Sequence, residues 1–213
     1  MSYKLFYIPG SAAMAPHAML REIGAPTEFV RLDREKNEHK ASEYLTLNPH
    51  GRVPTLVYND GKIIYESSAI CQFLTERHPE AGLAPALDHP DRGRFLQWMA
   101  YLTNTLQEAL MQYWYPHYFV DGEAEQKKVT GKAEARIGNI FTFLDGELAA
   151  GGPYLCGTGF YACDYYLAML VRWSRLFARP GHSYPHINQL IRAALARPGY
   201  AQMLRDHGIE QPV

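Results

Sequence analysis

NPHGRVPTLVYNDGKIIYESSAI, residues 48–70, is the stretch whose reading decides the fold. Two β-rich runs, 54–58 (PTLVY) and 62–66 (KIIYE), are joined by Asn59-Asp60-Gly61, a hairpin signal. Pro54 opens the first run, where a missing N–H costs least. The pattern then changes period. Residues 67–77 (SSAICQFLTER) read as a helix capped by Ser67, with Ala69, Ile70, Phe73 and Leu74 as its apolar stripe.

Working back, residues 3–8 (YKLFYI) are a nearly continuous apolar run, which suits a strand buried on both faces, and Pro9-Gly10 ends it. Residues 13–23 read as a helix with Ala15, Met19 and Ile23 on one stripe. Pro16 lies in its first turn and Gly24 follows as its C′ residue. Residues 27–32 alternate like a strand, and Ser42 to Leu47 suit a short helix before Asn48-Pro49. The order is βαβαββα. Its first half implies parallel strands and its hairpin an antiparallel pair.

Working forward, the three prolines in 79–90 read as a linker, and the rest is helical. Periodic stretches cover 91–115, 123–149, 162–178, 186–196 and 198–207, broken at Asp121-Gly122 and Gly151-Gly152-Pro153. The expected architecture is α+β with two domains: residues 1–80, a linker at 81–90, and an all-α domain at 91–213.

Composition narrows the function. The 213 residues are 47% hydrophobic and 20% charged, which excludes a disordered chain. A net charge of −1 gives no footprint for nucleic acid or an anionic membrane surface. The apolar stretches are too short to span a bilayer, and MSYKLFYIPG lacks the pattern of a signal peptide, so a cytoplasmic protein is expected. Cys71, Cys156 and Cys163 form no C-x-x-C pair and read as buried, inert thiols. With no H-x-x-x-H pair either, no metal site is expected.

Two motifs can carry binding chemistry. X–Pro bonds are trans as a rule. A cis Val53–Pro54 bond would turn the Val53 N–H and C=O outward, where an extended peptide can pair with them as an added strand. Glu66 and Ser67 sit where a strand meets a helix N-terminus. Backbone N–H groups and the Ser67 hydroxyl can hold a carboxylate there, and Glu66 an ammonium, which suits the zwitterionic end of an amino acid or γ-glutamyl group.

I-P-G-S, N-P-x-x-x-V-P and E-S-x-A-I in this order, followed by a helical domain, resemble the glutathione transferase family over the whole chain. The resemblance implies a thioredoxin-like first domain. It implies that the Val53 backbone, next to Pro54, pairs with the cysteinyl unit of glutathione, and that Glu66 and Ser67 hold the γ-glutamyl end. It implies that His39 lies near the glycyl carboxylate, with His50 and Arg52 as further cations. The stretch IPGSAAMAPH looks like the Ser-type loop of the delta and theta classes on a background similar to the bacterial beta class. Ala12 stands where the beta class has its cysteine, and Gln107 where that class has a histidine. In the second domain, Tyr161-Ala-Cys-Asp164 matches the family's capping box without the cap hydroxyl.

The implied reaction is attack of the glutathione thiolate on a hydrophobic electrophile by a homodimeric enzyme of detoxification. A glutathione-dependent peroxide or disulfide reductase and a non-catalytic module on the same fold are the alternatives. The thiol has a reference pKa near 8.5, so the enzyme must favour the thiolate. A hydroxyl donating to a charged group contributes about 1.5–3 kcal/mol, a pKa drop of about 1–2 units. Two hydroxyls qualify. Ser11 resembles the catalytic serine of delta-class enzymes. Tyr7 holds the position of the catalytic tyrosine in the alpha, mu and pi classes. Ser11 is favoured. The second substrate is expected in a cleft between the domains. Helical spacing puts Tyr101, Asn104 and Glu108 on one face, continued by Tyr115, and His117 joins the aromatic run at 113–119.

Overall fold

A computed structural model of the chain describes residues 2–59 and 61–211. They form two compact units. One reaches to Leu83 and takes up the chain again from Leu195, and the other is Ala84–Ala194.

The first unit is built on a four-stranded sheet in the order β2-β1-β3-β4. Its strands are β1 (Tyr3–Tyr7), β2 (Thr27–Arg31), β3 (Thr55–Tyr58) and β4 (Lys62–Tyr65). β1 runs parallel to β2, in register Tyr3 to Thr27, and antiparallel to β3, and β3 pairs antiparallel with β4. This is the mixed sheet that the βαβαββα order implies. Of the hairpin signal, Asp60 lies outside the described residues. β1 alternates more than its apolar run suggests. Tyr3, Leu5 and Tyr7 are buried, while Lys4 and Phe6 are half-buried. Lys4 pairs with Glu28 at 2.9 Å, and Phe6 packs on a small cluster of Ile8, Leu32 and Tyr44.

Helix α1 (Met14–Ile23) ends in a left-handed Gly24, as the sequence leads one to expect, and α2 is Ser42–Leu45. Helix α3 (Ser67–Arg77) starts differently from the expectation. Ser67 is its first helical residue, and the preceding position is Glu66 at φ 72°, ψ 113°. The Ser67 hydroxyl does not cap its own helix. It donates to the carbonyl of Ala12 at 2.7 Å, because the loop after β1 offers an acceptor within reach.

In the second unit a single helical rod is split in three: α4 (Arg92–Tyr101), a π turn over Leu102–Gln107, and α5 (Glu108–Trp114). The long α6 (Glu123–Gly151) and the deeply buried α7 (Ala162–Trp173) complete its core, with α8 (Pro185–Ala196) ending at the unit boundary. The Asp164 carboxylate accepts from the N–H of Tyr161 at 2.8 Å and of Leu155 at 2.9 Å, and the Asp164 N–H finds the Tyr161 carbonyl. A backbone oxygen thus serves where the cap hydroxyl is absent. All three cysteines are buried, with the sulfurs of Cys156 and Cys163 3.9 Å apart. No described helix is long and apolar enough to cross a membrane.

The last helix, α9 (Pro198–Asp206), belongs to the first unit and packs on α1, whereas the sequence groups 198–207 with the helical domain. The Glu22 carboxylate of α1 accepts from Arg197 at 2.6 Å and from the Gly199 N–H at 2.8 Å. A side chain at Gly199 would meet the Glu22 N and the Ala18 carbonyl within 2.7 Å, so the two helices approach this closely only with glycine there.

Candidate functional site

The loop from Ile8 to Ala13 joins β1 to α1 and carries Ser11. It is a tight turn: the Ser11 N–H bonds the Ile8 carbonyl at 3.2 Å, and the Met14 N–H bonds the Ser11 carbonyl at 3.1 Å. The Ser11 Oγ accepts from the Ala13 N–H at 3.3 Å, which leaves the hydroxyl hydrogen to be given elsewhere. Ser67 holds the same loop from the other side, through Ala12. The structure therefore brings Ser11 and Ser67, 56 positions apart in the chain, onto one short segment.

Tyr7 is placed differently. Its ring is buried, and its hydroxyl donates to the Asp206 carbonyl at 3.1 Å. Burial, and then the Asp206 charge, raise its pKa above the ordinary tyrosine value. Its one hydrogen is committed to a backbone acceptor.

The second segment is Asn48–Pro54. The Val53–Pro54 bond is cis. The loop hangs on a polar cradle beneath it. The Tyr44 hydroxyl donates to the Arg52 carbonyl at 2.6 Å and bonds the Thr55 hydroxyl at 2.7 Å. Asn48 Nδ2 reaches the same carbonyl at 2.9 Å and Thr55 at 3.2 Å. Burial pushes the Tyr44 phenol up to about 12 against its hydrogen bonds to Thr55 and Asn48, so it stays a donor at any working pH. Val53 is half-buried and Pro54 buried at the edge of this cradle, while Arg52 and His50 are exposed.

His39 sits on the 3₁₀ turn Glu38–Lys40, pressed against this loop. Gly51, at φ 56°, makes the approach possible. A Cβ there would lie 2.8 Å from the His39 carbonyl and 2.8 Å from Lys40 Cδ. The ammonium of Lys40 donates to the His50 carbonyl at 3.1 Å. His39, His50 and Arg52 are thus brought to one end of the unit. Lys40, which the sequence reading passed over, ties the turn to the loop. His39 Nδ1 is buried with no partner among the described residues. Burial, then the charges of Lys40 and Arg34, lower the His39 pKa and favour a neutral ring.

Glu66 is exposed and holds a left-handed backbone that costs a non-glycine residue about 1–3 kcal/mol, a feature that gathers at functional sites. The first amides of α3 follow it. They lack intrahelical acceptors and sit at the positive end of the helix dipole.

In the second unit, the ring of Tyr101 packs against Trp98 and Phe143, each 5.6 Å away. Asn104 is exposed on the π turn. Tyr115 stacks on Tyr118 at 5.4 Å beside an exposed His117. Glu108 faces α6, where it pairs with Arg136 at 2.7 Å, and it accepts from Gln112 at 2.6 Å. The π turn lies between Tyr101 and Glu108, and both reach α6, Tyr101 through Phe143 and Glu108 through Arg136. Gln107 accepts a hydrogen bond from the Tyr166 hydroxyl.

Among the described residues no group of three or more His, Cys, Asp or Glu is arranged to hold a metal. The chemistry on offer is a hydroxyl donor, an exposed carboxylate, a helix N-terminus, and the guanidinium of Arg52 beside the imidazoles of His39 and His50. Together they can hold a small zwitterionic peptide.

Comparison with known proteins points the same way. Residues 1–76 match the family model "Glutathione S-transferase, N-terminal domain". The chain is 27% identical over 209 residues to Glutathione S-transferase GstA of Escherichia coli O157:H7, covering 97% of this chain and 100% of that protein. A sphingomonad glutathione S-transferase solved with glutathione is 30% identical, covers 96% of this chain and 98% of its own, and superposes with a TM-score of 0.84. A glutathione transferase homologue from Sulfitobacter with bound glutathione is 25% identical, with a TM-score of 0.89 and coverage of 98% and 99%.

Proposed function

The chain belongs to the glutathione transferase family, and on that premise we propose that Ser11 activates the thiol of bound glutathione for attack on a hydrophobic electrophile. Glutathione is the co-substrate. The observation that carries the choice of Ser11 is the contrast between the two hydroxyls. Tyr7 gives its hydrogen to the Asp206 carbonyl, while Ser11 accepts from Ala13 and keeps its own to give. Ser11 acts as donor to the thiolate and not as base, since a serine hydroxyl is a far weaker acid than a thiol. Ala12 next to it removes cysteine-dependent chemistry from the loop.

The tripeptide is read along its length. Glu66 takes the ammonium of the γ-glutamyl end, and the Ser67 end of α3 its carboxylate. The Val53 backbone pairs with the cysteinyl unit. His39 meets the glycyl carboxylate, with His50 beside it and Arg52 adding positive charge. A neutral His39 whose Nδ1 carries hydrogen is a buried donor without an acceptor, a state costing about 1–3 kcal/mol, and a carboxylate would relieve it. In the second unit, Tyr101, Asn104, Tyr115 and His117 are the candidates for contact with the electrophile. Glu108 can join them only by leaving Arg136. We assign the protein to the cytoplasm and to detoxification as a homodimer. The exposed Leu96 and Phe143 on α4 and α6 support the assembly, and sedimentation at equilibrium tests it.

Calorimetry with glutathione, followed by product analysis with an aryl halide and with a peroxide, tests the reading. Binding and a thioether conjugate are expected. Oxidised glutathione in place of conjugate would make the protein a reductase. No binding at millimolar glutathione would make it a non-catalytic module.

A further inference from the structure

We propose that His207 is a positioning residue for the thiol-activating loop, holding Ser11 in place through the amide of Gly10. The proposal rests on the reading of Ser11 as thiol donor.

Gly10 adopts φ 71°, and nothing lies within 4 Å of where its Cβ would be. What holds this residue is a hydrogen bond: the Gly10 N–H donates to Nδ1 of His207 at 3.1 Å. That one backbone donor fixes the direction of everything behind it. His207 Nδ1 must be bare, so the neutral ring carries its hydrogen on Nε2. Nε2 lies 3.1 Å from Nδ1 of His17 and donates to it. His17 then carries its hydrogen on Nε2, which donates to Asp206 Oδ2 at 2.9 Å. Three hydrogen bonds run head to tail from the amide before Ser11 to a carboxylate.

The far end is held firmly. Asp206 also accepts from Arg21 at 2.7 Å and from Gln202 at 2.9 Å. Burial would raise its pKa, but the hydrogen bonds from Gln202, His17 and Arg21 prevail and lower it, which keeps the carboxylate charged. The rings are clamped flat. His207 stacks on Tyr7 at 4.7 Å and His17 on Phe29 at 4.0 Å. Both imidazoles are buried, at 3% and 0% exposure. A satisfied buried network whose dipoles align is stiff, and its bonds strengthen one another. The element that aims Ser11 is therefore the C-terminal end of the chain, one residue beyond α9.

The experiment is a titration of glutathione thiolate absorbance in the complex, with steady-state kinetics, on His207→Phe, His207→Asn, Ser11→Ala and the double variant Ser11→Ala/His207→Phe. Phe keeps the ring and removes the acceptor. It should raise the bound-thiol pKa by about one unit, so that kcat/KM well below that pKa falls about tenfold, with KM for glutathione moving far less. Asn puts an oxygen close to the position of Nδ1 and should restore most of the rate. In the Ser11→Ala background the Phe change should cost little more, because its effect passes through Ser11. A folded His207→Phe with a wild-type thiol pKa overturns the proposal, as does full additivity with Ser11→Ala or an Asn variant as impaired as Phe. Should His207→Phe fail to fold, hydrogen exchange of the Gly10 amide in the wild-type protein decides. Strong protection supports the bond, and exchange at the rate of an open loop overturns it. A wild-type chain that does not bind glutathione fails at an earlier step. That outcome removes the functional reading, and the role of His207 with it, before any variant is made.

Discussion

At the scale of single residues, the two candidate hydroxyls differ in what they can still give away. Ser11→Ala should raise the pKa of the bound thiol by about 1–2 units, the equivalent of one hydrogen bond to a charged group. Tyr7→Phe should leave the thiol titration in place and lower stability by about 1 kcal/mol, since it orphans the Asp206 carbonyl. A large shift of the thiol in Tyr7→Phe, with none in Ser11→Ala, would hand the role to Tyr7. His17 supplies a pH prediction. Burial pushes its pKa down to about 4 from an ordinary 6.5, against the pull of Asp206. The unfolded chain therefore binds more protons than the folded one between these values. The contribution is fully present above about pH 6.5 and is lost as pH falls towards 4, amounting to about 3 kcal/mol. Urea melts from pH 7 to 4 should show this loss, and His17→Phe should flatten it.

At the scale of elements, the loop 48–54 and the turn 38–40 work as a pair, and Gly51 is their hinge point. Gly51→Ala forces a Cβ against the His39 backbone at a positive φ. It should weaken glutathione binding about tenfold by calorimetry, if the penalty is near that of a left-handed non-glycine residue. Asp164→Ala should cost about 2–4 kcal/mol in thermal unfolding, because two buried N–H groups lose their acceptor at the start of α7. These elements also show what sequence reveals. The strands, the hairpin and α3 were legible because side-chain period changes sharply between residues 54 and 77. Asn48 shows in sequence only as part of a motif, and its work, holding the Arg52 carbonyl, is a tertiary contact that no periodicity encodes. The π turn carries no periodic signal, and the pairing of Glu108 with Arg136 on α6 is likewise invisible to spacing. Ser67 was read as a cap because such residues usually are, and a tertiary acceptor at Ala12 won instead.

At the scale of the whole molecule, the segment 195–211 completes the unit that carries Ser11. Periodicity showed a helix there but not its partner, since the contacts of Tyr7 and His17 with it span nearly the full chain. Tyr200, Met203 and Leu204 are buried in it, and each such side chain contributes about 1.5–3 kcal/mol. Their sum rivals the stability of an ordinary domain. Truncation after Ala194 should therefore unfold the first unit, seen as loss of glutathione binding and of a cooperative melt. An intact melt would show that α9 is dispensable. The discontinuity also sets a schedule for biosynthesis. A chain made from its N-terminus exposes the surface of α1 while all of Ala84–Ala194 is still being translated, a wait on the order of ten seconds. Until α9 emerges, Tyr7 and His17 lack their partner Asp206. The unit begun first is thus finished only after the helices of the other have been made.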